Sequence, residues 1–189
     1  MKFYKLNKNV ETPAYATEKS AGFDISPFLE ADTKIRCYNP HNKEMFLPVR
    51  VDGSGRIYAQ ILPDFRALLP TGLVLDISED KYVAINVRSS MALKYGIVLA
   101  NQTAIIDEDY TNETFIMIQN TGDTPVQIFS GQRIAQCTIH NRNAEALEET
   151  SVPVDQKTDR EGGLGSTGTE AIQEDAPKKK AGRPKKIVE

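Results

Sequence analysis

From Phe46 to Ile139 the apolar residues fall into short runs, MFLPVRV, RIYAQIL, GLVLDI, YVAINV, GIVLA, TFIMIQN, VQIFS and RIAQCTI, rich in Val, Ile, Tyr and Phe. Segments of turn composition separate them: DGSG at Asp52 to Gly55, SEDK at Ser78 to Lys81 and NTGD at Asn120 to Asp123. Many short β-prone runs at close spacing, with almost no segment of 3.6-residue period, predict an all-β barrel or sandwich. One short helix is expected around SMALKYG, Ser90 to Gly96. RVDGSGRIY reads as a turn between two alternating runs, which predicts a protruding hairpin within about residues 37–64. Beyond Asn143 the apolar pattern fades. The organisation expected is a β core over 1–142, an extended arm over 143–168 and a disordered basic tail over 169–189.

Composition adds limits. A chain of 189 residues builds one domain with a sizeable core plus extras. Net charge is only −3, so no overall basic field marks a nucleic-acid protein, yet the last dozen residues are strongly basic. No apolar stretch approaches the roughly 20 residues of a membrane span, and MKFYKLNKNV lacks a signal-peptide core. A cytoplasmic protein is expected. Cys37 and Cys137 suggest no disulfide framework and read as small apolar fillers.

Five pieces stand apart from the strands: AGFDIS at Ala21, RSSMALKYGI at Arg88, NQTAIIDEDYTNE at Asn101, GQRIAQ at Gly131 and DREGGLGSTG at Asp159. RSS sets a guanidinium beside two hydroxyls, which suits a phosphate; Arg88 could equally serve a structural ion pair. GGLGSTG could wrap backbone N–H groups around phosphate oxygens with Arg160 beside it, and by itself it also reads as a flexible linker. Alternation puts Ile106 and Asp107 on opposite faces, so Asp107 can face a cavity while its neighbours pack. Taken singly, Asp107 and Asp109 are also ordinary turn residues, Tyr110 a plain strand residue and Asp24 a solvated turn aspartate following a flexible glycine.

In this order the five pieces resemble the five motifs of the trimeric dUTPases, over roughly residues 3–168 with one insertion. The resemblance implies a dUTPase-like β-barrel of jelly-roll type with one short helix, a homotrimer with shared active sites, dUTP as substrate and Mg2+ as cofactor. It implies Asp107 as the base that activates the water attacking the α-phosphorus. Arg88, Ser89, Ser90 and Gln136 would lie against the phosphates, and Asn101 beside the uracil edge. Tyr110 would pack under the deoxyribose, Ile105, Ile106 and Phe115 would also bind substrate, and Asp24 would hold magnesium through water. Arg160, Leu164, Gly165, Ser166 and Thr167 would form the closing arm, while Arg133 reads as structural. Some positions depart from the family pattern: Ser90, Ala104 and Asn112 replace glycines, with Asn112 expected to tolerate left-handed backbone. Leu164 replaces an aromatic whose stacking on a base contributes about 1–3 kcal/mol, which predicts a weaker lid over uracil.

Two other enzyme classes and one binding class compete. A dCTP deaminase of the same fold needs a carboxylate on the strand after the ID pair, where this chain has Met117. A zinc deaminase is suggested by Cys37-x3-His41 and Cys137-x2-His140, but Cys137 and His140 would point to opposite faces of a strand. A non-enzymatic binding or regulatory protein on the same fold is kept open by the insertion and by KKKAGRPKK, which resembles an AT-hook. That tail implies weak contact with A/T-rich DNA through residues 178–186, or a solvated basic tail. The compact, decorated chain also fits a phage or other viral source, hence host cytoplasm.

Overall fold

The computed structural model describes residues 1–155 and 157. It is mostly β: thirteen strands and one helix run in the order β1 (Lys2–Lys5), β2 (Ala14–Tyr15), β3 (Phe23–Ile25), β4 (Lys34–Tyr38), β5 (Glu44–Val51), β6 (Ile57–Ile61), β7 (Arg66–Asp76), β8 (Lys81–Val87), α1 (Ser89–Tyr95), β9 (Ile97–Leu99), β10 (Ala104–Ile106), β11 (Thr114–Asn120), β12 (Val126–Phe129) and β13 (Ala135–Asn141). All eight apolar runs form strands. The first four strands lie before that run of patterns, in segments too short or too polar for alternation to mark.

One sheet has the order β12-β6-β5-β4-β7-β11-β9, with β1 added along β7; the other has the order β10-β8-β13-β3-β2. Leu69, Ile116 and Ile118 from the first and Val83, Ile85 and Ala135 from the second belong to a single buried cluster. Each large aliphatic side chain buried this way contributes about 1.5–3 kcal/mol of transfer free energy. β13 alternates, with Ala135 and Cys137 buried and Gln136 exposed, and so holds its register against both β8 and β3.

The turn at 52–55 does join two paired strands, Val49 opposite Ala59 and Val51 opposite Ile57. Those strands do not protrude. β5 is flanked by β4 and β6 by β12, and Leu47, Val49, Ala59 and Ile61 are buried in the core, so the stretch is part of the sheet. Alternation alone cannot tell a free hairpin from one whose outer edges find partners.

Helix α1 forms where expected and ends at Gly96, which adopts the left-handed conformation (φ 62°) and donates its N–H to Ala92. Met1–Glu145 forms one compact unit, and a second begins at Ala146, whose described part contains no strand or helix. Among the described residues no helix is long and apolar enough to cross a membrane.

Candidate active site

Asp24 is not a solvated turn residue. It lies in β3, 9 % exposed, and both flanking residues, Phe23 and Ile25, are buried. Gly22 does not supply a left-handed turn either; a Cβ there would lie 2.7 Å from the carbonyl oxygen of Cys137, so glycine is what lets β3 approach β13. The Asp24 carboxylate faces two guanidinia: Oδ2 lies 3.2 Å from Nη1 of Arg133 and 3.5 Å from Nη1 of Arg88. Arg88 also donates to the Arg133 carbonyl at 3.4 Å. Arg88 is therefore ion-paired. Two cations around one anion leave a net positive charge at this place.

Register extends this cluster across the sheet. Gln136 stands opposite Asp24 on one side and opposite Asn86 on the other. Asn86 in turn accepts a 3.2 Å hydrogen bond from Thr103 Oγ1 on the loop that carries Asn101. Asn86 was missed in the sequence because it sits singly in the apolar run YVAINV, while Thr103 falls within NQTAIIDEDYTNE without a residue-specific signal of its own. Ser89 and Ser90 are exposed at the start of α1, next to Arg88.

The second group lies at the opposite end of β8. β10 is the edge strand, with Ile106 opposite Val83 and Ala104 opposite Ile85. Asp107 leaves that strand into solvent and lines an open cavity of about 610 Å3 with Lys81, Tyr82, Ile105, Glu108, Asp109 and Arg142. Tyr110 is half-buried; its N–H donates to the Asp107 carbonyl (3.2 Å) and its hydroxyl to the Glu113 carbonyl (2.8 Å). The Glu113 carboxylate accepts the N–H of Gly72 at 2.7 Å, tying this segment to β7. Ile106 is half-buried and Asn101 exposed. Phe115 is not brought to the Asp107 cavity: it faces the other way on β11, opposite Pro70, and lines a separate hollow. Arg142, unmarked by any motif, pairs with Asp80 at 3.0 Å, and its guanidinium is pushed above its ordinary pKa by that bond and by the Glu108, Asp80 and Asp109 charges.

The departures from glycine have local explanations. Ala104 is an ordinary strand residue, buried, and the left-handed position of its loop is taken by Gln102 (φ 62°). Asn112 is not among the residues of positive φ, so its left-handed tolerance goes unused. Cys137 lies in the core, its thiol pushed up to about 12 mainly by burial, while His140 is exposed and stacks on Tyr82 at 5.1 Å.

Among the described residues no group of three or more His, Cys, Asp or Glu side chains is placed to hold a metal ion. A hard cation carried chiefly by a ligand's phosphate oxygens would need few protein donors, and Asp24 is the carboxylate of this cluster that could meet one of its waters. Arg160, Leu164, Gly165, Ser166 and Thr167, and the basic stretch 178–186, lie outside the described residues.

The dUTPase family model matches residues 56–168. Deoxyuridine 5'-triphosphate nucleotidohydrolase of Brucella melitensis biotype 2 is 33 % identical over 162 residues, 86 % of this chain and 87 % of that protein. The protein of that name from Mesorhizobium japonicum is 38 % identical over 109 residues, 58 % of this chain and 67 % of that one. In fold the chain resembles the Staphylococcus bacteriophage 80alpha dUTPase solved with dUPNHPP, with TM-score 0.67, 19 % identity and coverage of 89 % and 98 %. The Streptococcus mutans dUTPase gives TM-score 0.54 at 21 % identity, covering 76 % of this chain and 98 % of that one. These matches show that the chain belongs to the dUTPase family.

Proposed function

We propose that this chain is a dUTP diphosphatase: water attacks the α-phosphorus of dUTP, Asp107 takes the proton, and the bond to the bridging oxygen breaks to give dUMP and pyrophosphate. The observation that carries this reading is the position of Asp107, a carboxylate at the end of an edge strand on the wall of an open cavity, beside Tyr110. An exposed carboxylate can accept a proton from a positioned water, and such a base contributes typically 10²–10⁴-fold in rate. Arg88 and Arg133, with Gln136 and the α1 hydroxyls of Ser89 and Ser90, bind the phosphates. Tyr110 and the Asn101 loop hold the nucleoside. Mg2+, which Asp24 would hold through water, would supply neutralisation of the triphosphate charge when bound.

One chain does not bring these halves together. Asp107 lies next to Tyr82 near one end of β8, and Arg88 directly follows Val87 at the other end, six residues on, which at about 3.3 Å per residue is roughly 20 Å. A triphosphate spans less than that. We infer that the working site is shared between copies, in a homotrimer, with the segment holding Arg160 and Leu164 closing it in the cytoplasm of the cell or host. The basic stretch 178–186 is proposed to touch A/T-rich DNA weakly; a chain truncated after residue 168 should then lose salt-sensitive retention on such DNA and keep its turnover.

The direct test is release of pyrophosphate and nucleoside monophosphate from dUTP, dCTP, dTTP and UTP in parallel with Mg2+. Turnover of dUTP alone is expected. Ammonia from dCTP would move the reading to a deaminase, and no turnover at all to a binding protein.

A further inference from the structure

The segment from Asp107 to Glu113 carries both the proposed base and Tyr110, yet it runs between β10 and β11 with no strand or helix of its own. Two glutamate side chains tie it to the sheet. Glu108 accepts the N–H of Asp80 at 2.9 Å, and Glu113 accepts that of Gly72 at 2.7 Å. The second tie lands on an irregularity in the ladder. Leu73 of β7 stands opposite Thr114 and Pro70 opposite Phe115, so Thr71 and Gly72 have no partners in the β11 register. Thr71 is fully buried and its hydroxyl donates to the Thr114 carbonyl. Gly72 adopts left-handed backbone (φ 66°), and its carbonyl accepts the N–H of Leu6 at 2.9 Å. A Cβ there would run into Val10. The Gly72 N–H, turned out of the ladder, meets the Glu113 carboxylate instead, a charge-assisted bond in place of a missing backbone acceptor.

The same residue holds the tyrosine. The Tyr110 hydroxyl donates to the Glu113 carbonyl at 2.8 Å, while the Tyr110 N–H donates to the Asp107 carbonyl at 3.2 Å. Ring and carboxylate are thus fixed within one loop, and Glu113 fixes that loop to β7. We propose that Glu113 is a positioning residue: it sets the Tyr110 ring against the sugar and so governs discrimination between deoxyribo- and ribonucleotide. This rests on the reading of the chain as a dUTP diphosphatase with Tyr110 under the deoxyribose, and deepens it. A packed ring rejects an extra hydroxyl only as far as it is held still, and a displacement of about 1 Å can cost on the order of 100-fold. Glu113 acts through the reach of its acceptor oxygen. An amide oxygen at the same reach serves Gly72 equally, a shorter carboxylate falls short, and an aliphatic side chain leaves the N–H unpaired.

The test compares Glu113→Leu, Glu113→Asp and Glu113→Gln in the full chain, by kcat and KM for dUTP and UTP and by amide hydrogen exchange. Glu113→Leu should lower the ratio of kcat/KM for dUTP over UTP at least about tenfold. Its Gly72 and Tyr110 amides should exchange faster by a similar factor, while those along β8 and β13 keep wild-type protection. Glu113→Asp keeps the charge and loses the reach, so it should move the ratio the same way by at least about threefold, and it decides the matter if Glu113→Leu fails to fold. Glu113→Gln should stay within about twofold of the wild type in every measurement. A ratio unchanged in Glu113→Leu and Glu113→Asp, or lost equally in Glu113→Gln, would overturn the proposal. A wild type that hydrolyses neither nucleotide would overturn the enzymatic reading instead. Exchange would then still judge the anchor, because equal rates at Gly72 and Tyr110 in the wild type and Glu113→Asp would overturn it too.

Discussion

Asp24 and Arg133 are joined at 3.2 Å across the β3–β13 pair, with the carboxylate 9 % exposed and Arg88 as its second partner. Removing a nearly buried charge strands its partners more than it loses an attraction. Asp24→Asn should lower stability by about 1–3 kcal/mol in urea unfolding. It should also reduce kcat/KM for dUTP more steeply than that loss explains. An unchanged kcat/KM would remove Asp24 from the phosphate site.

Asp107 is exposed and makes no packing contribution to the core, so chemistry and stability separate cleanly there. Asp107→Asn should unfold within about 0.5 kcal/mol of the wild type, bind a non-hydrolysable dUTP analogue, and turn over dUTP at least about 100-fold more slowly. Near-native turnover in this variant would place the base elsewhere.

Asp52 holds the turn between β5 and β6: its carboxylate accepts the N–H groups of Ser54 and Arg56 and the Ser54 hydroxyl, and pairs with Arg56 at 2.8 Å. The Ser54 hydroxyl bond, then the Arg56 backbone N–H, hold its pKa well below the usual carboxylate range. A depressed folded-state pKa means stability that is present above the unfolded value near 3.9 and lost as pH falls through the lower folded value. Thermal unfolding followed from pH 6 down to pH 2 should therefore show an acid-dependent loss that is smaller in Asp52→Asn. Arg56 also lies over the Phe129 ring at 4.3 Å, so the same variant should loosen β12 in hydrogen exchange.

Gly22 tests the packing that presents Asp24. Its added Cβ would meet backbone, at 2.7 Å from Cys137 O, and backbone cannot rotate away. Gly22→Ala should cost about 1–3 kcal/mol in denaturant titration and raise KM for dUTP by displacing β3. Equal stability would show that β3 shifts freely.

What the sequence determined by itself was local: β-prone alternation from Phe46 onward, one helix before Gly96, and five short motifs whose order names the family. Those signals are readable because side-chain period and turn chemistry act over a few residues. The short β1 to β4 carried no such period, and the pairing of β4 between β5 and β7 depends on partners distant in sequence. The burial of Asp24 was likewise invisible, since AGFDIS reads as a turn until β13 and Gly22 bring two strands into contact. Only the tertiary structure decided that Asp24, Arg88, Arg133 and Gln136 stand together at one end of the smaller sheet and Asp107 at the other. The reason is register: β8 rises about 3.3 Å per residue, so its length separates two groups that the motifs alone would have placed side by side.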